Sequence, residues 1–152
     1  MSLKIISKKV YIYTDGSCLG NPGSGGYAIC IVENDGKDDK ITLYGNGEKD
    51  TTNNRMEILA LILAFQKTEN FSCDIEIFSD SSYVVNGFNI WLDNWQKNNW
   101  NKNKILNQDL WKQLISYKPL NNYKISWVKA HSNNKYNDMV DQKAKDEASK
   151  YK

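Results

Sequence analysis

The chain has 152 residues, of which 40% are hydrophobic and 25% charged, with a formal net charge of +2 and a pI of about 8.3. That is the size of one ordinary domain with a core; no run of about 18 apolar residues crosses a membrane, no leader-like segment opens the chain, and the charge is too mild to argue nucleic-acid binding alone. Cys18, Cys30 and Cys73 leave one thiol unpaired under any pairing and have no metal-type spacing, which points to a reducing, cytoplasmic setting.

Lys9 to Thr14 alternates Val10 and Ile12 with Tyr11 and Tyr13, the period of a strand. A loop of small residues follows, and Gly26 to Val32 reads as a second strand. Asn34-Asp35-Gly36 signals a turn before a third strand over Lys40 to Gly45, completing a meander. Residues 51–68, TTNNRMEILALILAFQKT, are the clearest helix: Thr51, Thr52 and Asn53 offer N-caps, and apolar residues cover nearly every side. Asp74 to Ser79 is a fourth strand, followed by a helical start at SSYVVNGF. Trp91 to Trp100 and Gln108 to Tyr117 read as helices, Lys124 to Val128 as a fifth strand, and Asn137 to Ser149 as a closing helix. The order predicts an α/β fold with a mixed sheet and helices packed on it.

Four acids stand where simple structural logic would not put them. Asp15 and Asp80 each end a predicted strand, the edge at which open α/β sheets build their sites. Glu57 is the only acid in the helix over 51–68, and Asp141 lies beside Val140 in the last helix. Each alone has an ordinary explanation. Asp15 suits a turn before Gly16, Asp80 suits a helix cap, Glu57 could pair with Arg55, and Asp141 with Lys145 at i,i+4. Converging, they would repel one another strongly unless cations intervened, and an all-oxygen set without a Cys/His cluster selects Mg²⁺ or Mn²⁺ over zinc. A pair of such ions about 3.5–4 Å apart is a device for in-line attack on a phosphodiester.

The glycine-rich loop over 20–26 is not a phosphate loop, because a strand follows it and no Gly-Lys-Ser/Thr ends it. Tryptophans 91, 95 and 100, spaced near one helical turn, read first as packing residues.

YTDGSCLGNPGSGGYA, TTNNRMEILA, FSDSSYV and WVKAH, with Asp141 ten residues after the histidine of the last, together resemble type 1 ribonuclease H from about Tyr11 to Ala148. The resemblance implies a ribonuclease H-like fold: five strands, three antiparallel and then parallel, helices on both faces, and a protruding Trp/Lys handle. It implies an endoribonuclease that hydrolyses the RNA strand of RNA–DNA hybrids, leaves 5′-phosphate and 3′-hydroxyl ends, and removes RNA primers and R-loops. Its cofactor would be two Mg²⁺ ions, with Mn²⁺ as a substitute. The family's metal-binding carboxylates fall on Asp15, Glu57, Asp80 and Asp141, with Asp15 bridging both ions. His131, the only histidine, matches a loop residue thought to assist proton transfer or product release, although HSNNKYND lacks the glycine, second histidine and proline usual there.

For substrate, the resemblance puts Asn21 near the RNA 2′-hydroxyl and Asn53 and Asn54 in the minor groove. Thr52 and Asn107 fall in a pocket for a DNA phosphate, and Ser82 stands where the family often has glutamine. Trp91 and Trp95 would pack the handle, with Lys97, Lys102 and Lys104 along the DNA strand; Asp93 makes this handle less basic than many. One domain over 1–152, with a core of about 9–149, is expected, without a separate hybrid-binding domain, membrane segment or obligate protein partner, and as a monomer. Three rival classes remain: an inactive binding module, a DNA nuclease of the wider superfamily, and a domain of a polymerase polyprotein.

Overall fold

The computed structural model describes residues 9–34, 38–117, 122–130 and 134–152. Three long strands open it: β1 (Lys9–Leu19), β2 (Gly23–Asn34) and β3 (Asp39–Thr51). Then come α1 (Asn53–Thr68), β4 (Asp74–Ser79), α2 (Ser82–Asn86), a π-helical turn (Gly87–Trp91), α3 (Leu92–Lys97), the short α4 (Asn99–Asn103), α5 (Gln108–Ile115), β5 (Tyr123–Trp127) and α6 (Lys135–Lys150). The sheet order is β3-β2-β1-β4-β5, antiparallel among the first three strands and parallel from β1 through β4 to β5. This is the predicted five-stranded mixed sheet.

Strand alternation divides the core between two faces. Val10, Ile12, Ile29, Ile31, Ile75, Ile77 and Ile125 point to one side, where α1 lays Ile58, Leu61, Ile62 and Phe65 against them. Ala28, Cys30 and Val32 point to the other side and meet Val140 and Ala144 of α6. Small residues on that second face let α6 approach closely: a Cβ on Gly26 would come within 2.1 Å of the Ala144 carbonyl oxygen. Helices therefore cover both faces, as expected.

The strands outrun their sequence signals. β1 was expected to stop at Thr14, yet its ladder with β2 continues to Leu19 opposite Ser24, while its pairing with β4 stops at Thr14 opposite Ser79. Pairing and packing outweigh the poor strand propensity of Asp15 and Gly16. β3 likewise extends beyond Gly45 to Thr51 because β2 pairs with it along nearly its whole length.

The tryptophan-rich segment also departs from its periodicity. Trp91 to Trp100 is not one helix. It breaks at Asn98, and α4 is a single left-handed turn in which Asn99, Trp100, Asn101, Lys102 and Asn103 all have φ between 49° and 63°. Three of those five are asparagine, which together with aspartate tolerates that region better than other residues with a Cβ. Trp100 is thereby turned inward, 7% exposed, and Trp95 stacks between it and Trp111. Trp91 remains 36% exposed at the outer end of the stack, against Tyr83 and Trp95.

Candidate active site

Thr14 of β1, Ser79 of β4 and Trp127 of β5 lie level across three adjacent strands. Just past that level, β1 has lost β4 as a partner, and a gap opens in which the next residues, Asp15 and Asp80, face each other. Asp15 is thus not at the end of its strand, as the sequence suggested, but at the end of the strand's parallel pairing. Glu57 enters from α1, whose first turn presses onto β1 at Gly16. A Cβ there would stand 2.6 Å from the Glu57 nitrogen and 2.7 Å from the Met56 carbonyl carbon, so only glycine admits the helix. The glycine that follows the aspartate is what brings the glutamate to it.

Ligand oxygens of Asp15, Glu57 and Asp80 all lie within 4.8 Å of one another. Asp15 is 7% exposed and Glu57 8%, while Asp80 is half-buried. Asp141, half-buried on α6, lines the same open cleft of about 410 Å³ as Asp15. It also pairs with Lys145 at 3.1 Å, the i,i+4 partner anticipated for it. The two roles coexist.

Burial first, then the charge of Asp80 and the nearness of Asp141, push the Asp15 carboxyl up to about 8. Glu57 is raised well above the ordinary carboxylate range by burial first and by Asp15 and Asp80 after it. The Gly16 N–H, 2.9 Å from Asp15 Oδ1, opposes this only in part. Among the described residues, Glu57 Oε1 is buried with no hydrogen-bond partner. Crowded carboxylates, an orphaned ligand oxygen and an all-oxygen donor set fit a hard divalent cation, whose charge would ionise the group and satisfy that oxygen.

Asn53, Asn54 and Ser82 line the cleft beside the acids. Asn21 does not line it: its Oδ1 accepts the Asn53 N–H at 3.1 Å, tying the β1–β2 turn to the start of α1. Thr52 is the N-cap of α1 and accepts the Arg55 N–H at 3.3 Å. Two of the first N–H groups of α1 are therefore already engaged. The ordinary alternative for Glu57, a pairing with Arg55, is not found among the described residues. Arg55 instead grips both carboxylate oxygens of Asp109, at 3.1 and 3.0 Å, and reaches Asn107 Oδ1 at 3.4 Å. Asn107 donates in turn to the Tyr83 hydroxyl, so Thr52 and Asn107 are joined through Arg55. The helix after Asp80 is capped by Ser81, not by Asp80: the Ser81 hydroxyl accepts the Val84 N–H. Trp91 and Trp95 stand apart from the acids, in the aromatic stack. His131 lies outside the described residues.

The family model described as RNase H matches residues 7–149. The chain belongs to the ribonuclease H family. A ribonuclease H of Francisella philomiragia subsp. philomiragia is 46% identical over 145 residues, covering 92% of both chains. Among solved structures, LC9-RNase H1, a type 1 RNase H with the type 2 active-site motif, superposes with a TM-score of 0.86 at 26% identity, over 98% of this chain and 76% of that one. A foamy viral protease–reverse transcriptase, solved with an RNA/DNA hybrid, matches with a TM-score of 0.80 at 25% identity, over 93% of this chain and 20% of that one. In this ribonuclease H family member the acidic cleft lies on the carboxyl edge of the parallel strands, where the sequence placed its candidates.

Proposed function

We propose that this chain is a single ribonuclease H domain, with its core over about 9–149, that cleaves the RNA strand of RNA–DNA hybrids with divalent cations held by Asp15, Glu57, Asp80 and Asp141. The observation that carries the reading is that ligand oxygens of Asp15, Glu57 and Asp80 lie within 4.8 Å of one another, with Glu57 Oε1 buried and unpartnered among the described residues. Family membership and the hybrid-bound viral relative support the substrate. Mg²⁺ is the proposed ion, two with substrate bound, and Mn²⁺ its substitute.

Such cations, when bound, lower the pKa of water and offset charge developing on a phosphodiester during in-line displacement. The chain's own residues do the rest. Asp15, Glu57, Asp80 and Asp141 would hold the cations, with Asp15 in contact range of the others. Asn53, Asn54 and Ser82 offer donors and acceptors along the wall to sugar and base edges, and so carry the choice of RNA over DNA. Thr52 and Asn107, joined through Arg55, form the phosphate pocket for the other strand. Asn21 acts by holding the start of α1. The tryptophan stack with Lys97, Lys102 and Lys104 forms the handle, and His131 assists proton transfer or product release.

Labelled RNA–DNA hybrid, double-stranded RNA and double-stranded DNA, each with Mg²⁺, Mn²⁺ or chelator, test the reading. Cleavage of the hybrid's RNA strand alone, lost with chelator and leaving 5′-phosphate ends, is expected. Cleavage of either other duplex, or of hybrid in chelator, overturns it.

A further inference from the structure

The turn that carries Asp80 is braced by a residue to which no role has yet been given. In the register of β4 and β5, Trp127 lies opposite Ser79. The Val128 N–H donates to the Ser79 carbonyl at 2.9 Å, and the Trp127 indole Nε1–H donates to the Asp80 carbonyl at 3.1 Å. From within the turn, the Ser81 N–H donates to the Ser79 hydroxyl at 3.1 Å. Trp127 is 55% exposed. The half of the ring that is buried holds the indole in place, and its N–H is spent on a single backbone oxygen, that of Asp80. It also stands on an edge strand at the catalytic end of the sheet, where a smaller polar residue would be easier to solvate.

We propose that Trp127 is a positioning residue for Asp80: its indole N–H fixes the Asp80 carbonyl, and so the backbone from which the carboxylate meets Asp15 and Glu57. Two observations make such a brace necessary. Asp80 sits between a strand end and α2, a helix of only five residues, so the dihedral angles that aim its carboxylate have little regular structure to hold them. Its oxygen must also stay with those of two other elements inside 4.8 Å. Mg²⁺ demands near-octahedral geometry, so a small swing of one ligand weakens the whole set. Partners that orient ligands are typically worth about 10–100-fold in metal affinity or activity when removed. Here the brace acts on the backbone rather than on the carboxylate, so about three- to tenfold is expected. Water can replace the lost donor at this half-exposed turn, which leaves the fold intact.

The inference rests on Asp80 being a cation ligand, and the test separates the two. Mg²⁺ is titrated into the metal-free full chain, wild type and Trp127→Phe, followed by ¹H–¹⁵N NMR, with Tm recorded for both. The variant keeps a ring, removes the donor and identifies the Trp127 indole resonance by its loss. Expected are a wild-type indole resonance that moves as Mg²⁺ binds, a dissociation constant raised about three- to tenfold in the variant, and an unchanged Tm. Equal dissociation constants overturn the positioning role, as does an indole resonance in the wild type that stays fixed through saturation. That second reading stands even if the variant folds poorly, because triple-resonance assignment of the wild type identifies the indole independently. A rise in KM for hybrid with unchanged Mg²⁺ affinity would make the indole a substrate contact and also overturns it. A wild type that binds no Mg²⁺ at the acids refutes the ligand assignment itself.

Discussion

Replacing Asp15 with asparagine removes one of three carboxylates whose oxygens lie within 4.8 Å of one another, while the new amide oxygen can still accept the Gly16 N–H. The Asp15 carboxyl moves from an ordinary 3.8 to about 8 on folding. A raised acid of this kind favours the folded state fully only below about pH 3.8, and loses that contribution as pH climbs towards about 8. At pH 7 the unfolded chain has released the proton and the folded chain still holds it. That gap spans a little over three decades of proton binding, or about 4 kcal/mol at about 1.4 kcal/mol per decade. Burying an amide and leaving Glu57 and Asp80 in place take back part of it. A net gain of about 1–3 kcal/mol is expected, and in a domain of this length that raises Tm by about 3–10 °C. Circular dichroism melts in chelator at pH 5 and pH 8 provide the assay. The variant should melt higher, with the larger gain at pH 8, and millimolar Mg²⁺ should close the gap by stabilising only the wild type. A variant no more stable than the wild type, or a gain independent of pH, would refute the crowding argument. Hydrolysis of hybrid should be lost throughout.

Gly16→Ala should destabilise the fold by about 1–3 kcal/mol and slow cleavage, because its Cβ would press on the backbone of Met56 and Glu57; urea unfolding and a hybrid assay read the two effects. Trp95→Ala should cost about 2–3 kcal/mol, since Trp95 contacts Trp91, Trp100 and Trp111, and unchanged stability would deny it a packing role. Arg55→Lys should keep the charge but lose the two-pronged grip on Asp109 and the bond to Asn107. Weaker hybrid binding with little change in turnover is expected, and KM against kcat separates the two. His131→Ala should slow turnover without abolishing it, as steady-state kinetics will report.

Much of the site was legible because the chemistry sits on strong local signals. The alternation of Val10 and Ile12 with Tyr11 and Tyr13 marked β1, and the apolar run around α1 marked a helix buried on most sides, as the fold has them. Asp15, Glu57 and Asp80 stood out as acids at strand ends or inside an apolar helix, and the fold brings them together. What the sequence hid was decided by tertiary contact. Small residues after Asp15 read as loop, but the ladder to β2 and the press of α1 at Gly16 keep them in the strand. Aromatic spacing over 91–100 read as helix, while the asparagines that permit a left-handed turn were the competing signal. The partner of Arg55 lies 54 residues on, at Asp109, beyond any local pattern. Trp127 stood in the WVKAH motif without a role of its own, because its bond to the Asp80 carbonyl joins residues 47 apart in the chain.

Anomalous diffraction from crystals grown with Mn²⁺ tests the central claim most directly. Density for the ion among the carboxylates of Asp15, Glu57, Asp80 and Asp141 is expected, with Glu57 Oε1 in contact with it. A cleft without an anomalous peak at saturating Mn²⁺, the four carboxylates still crowded there, would contradict the account.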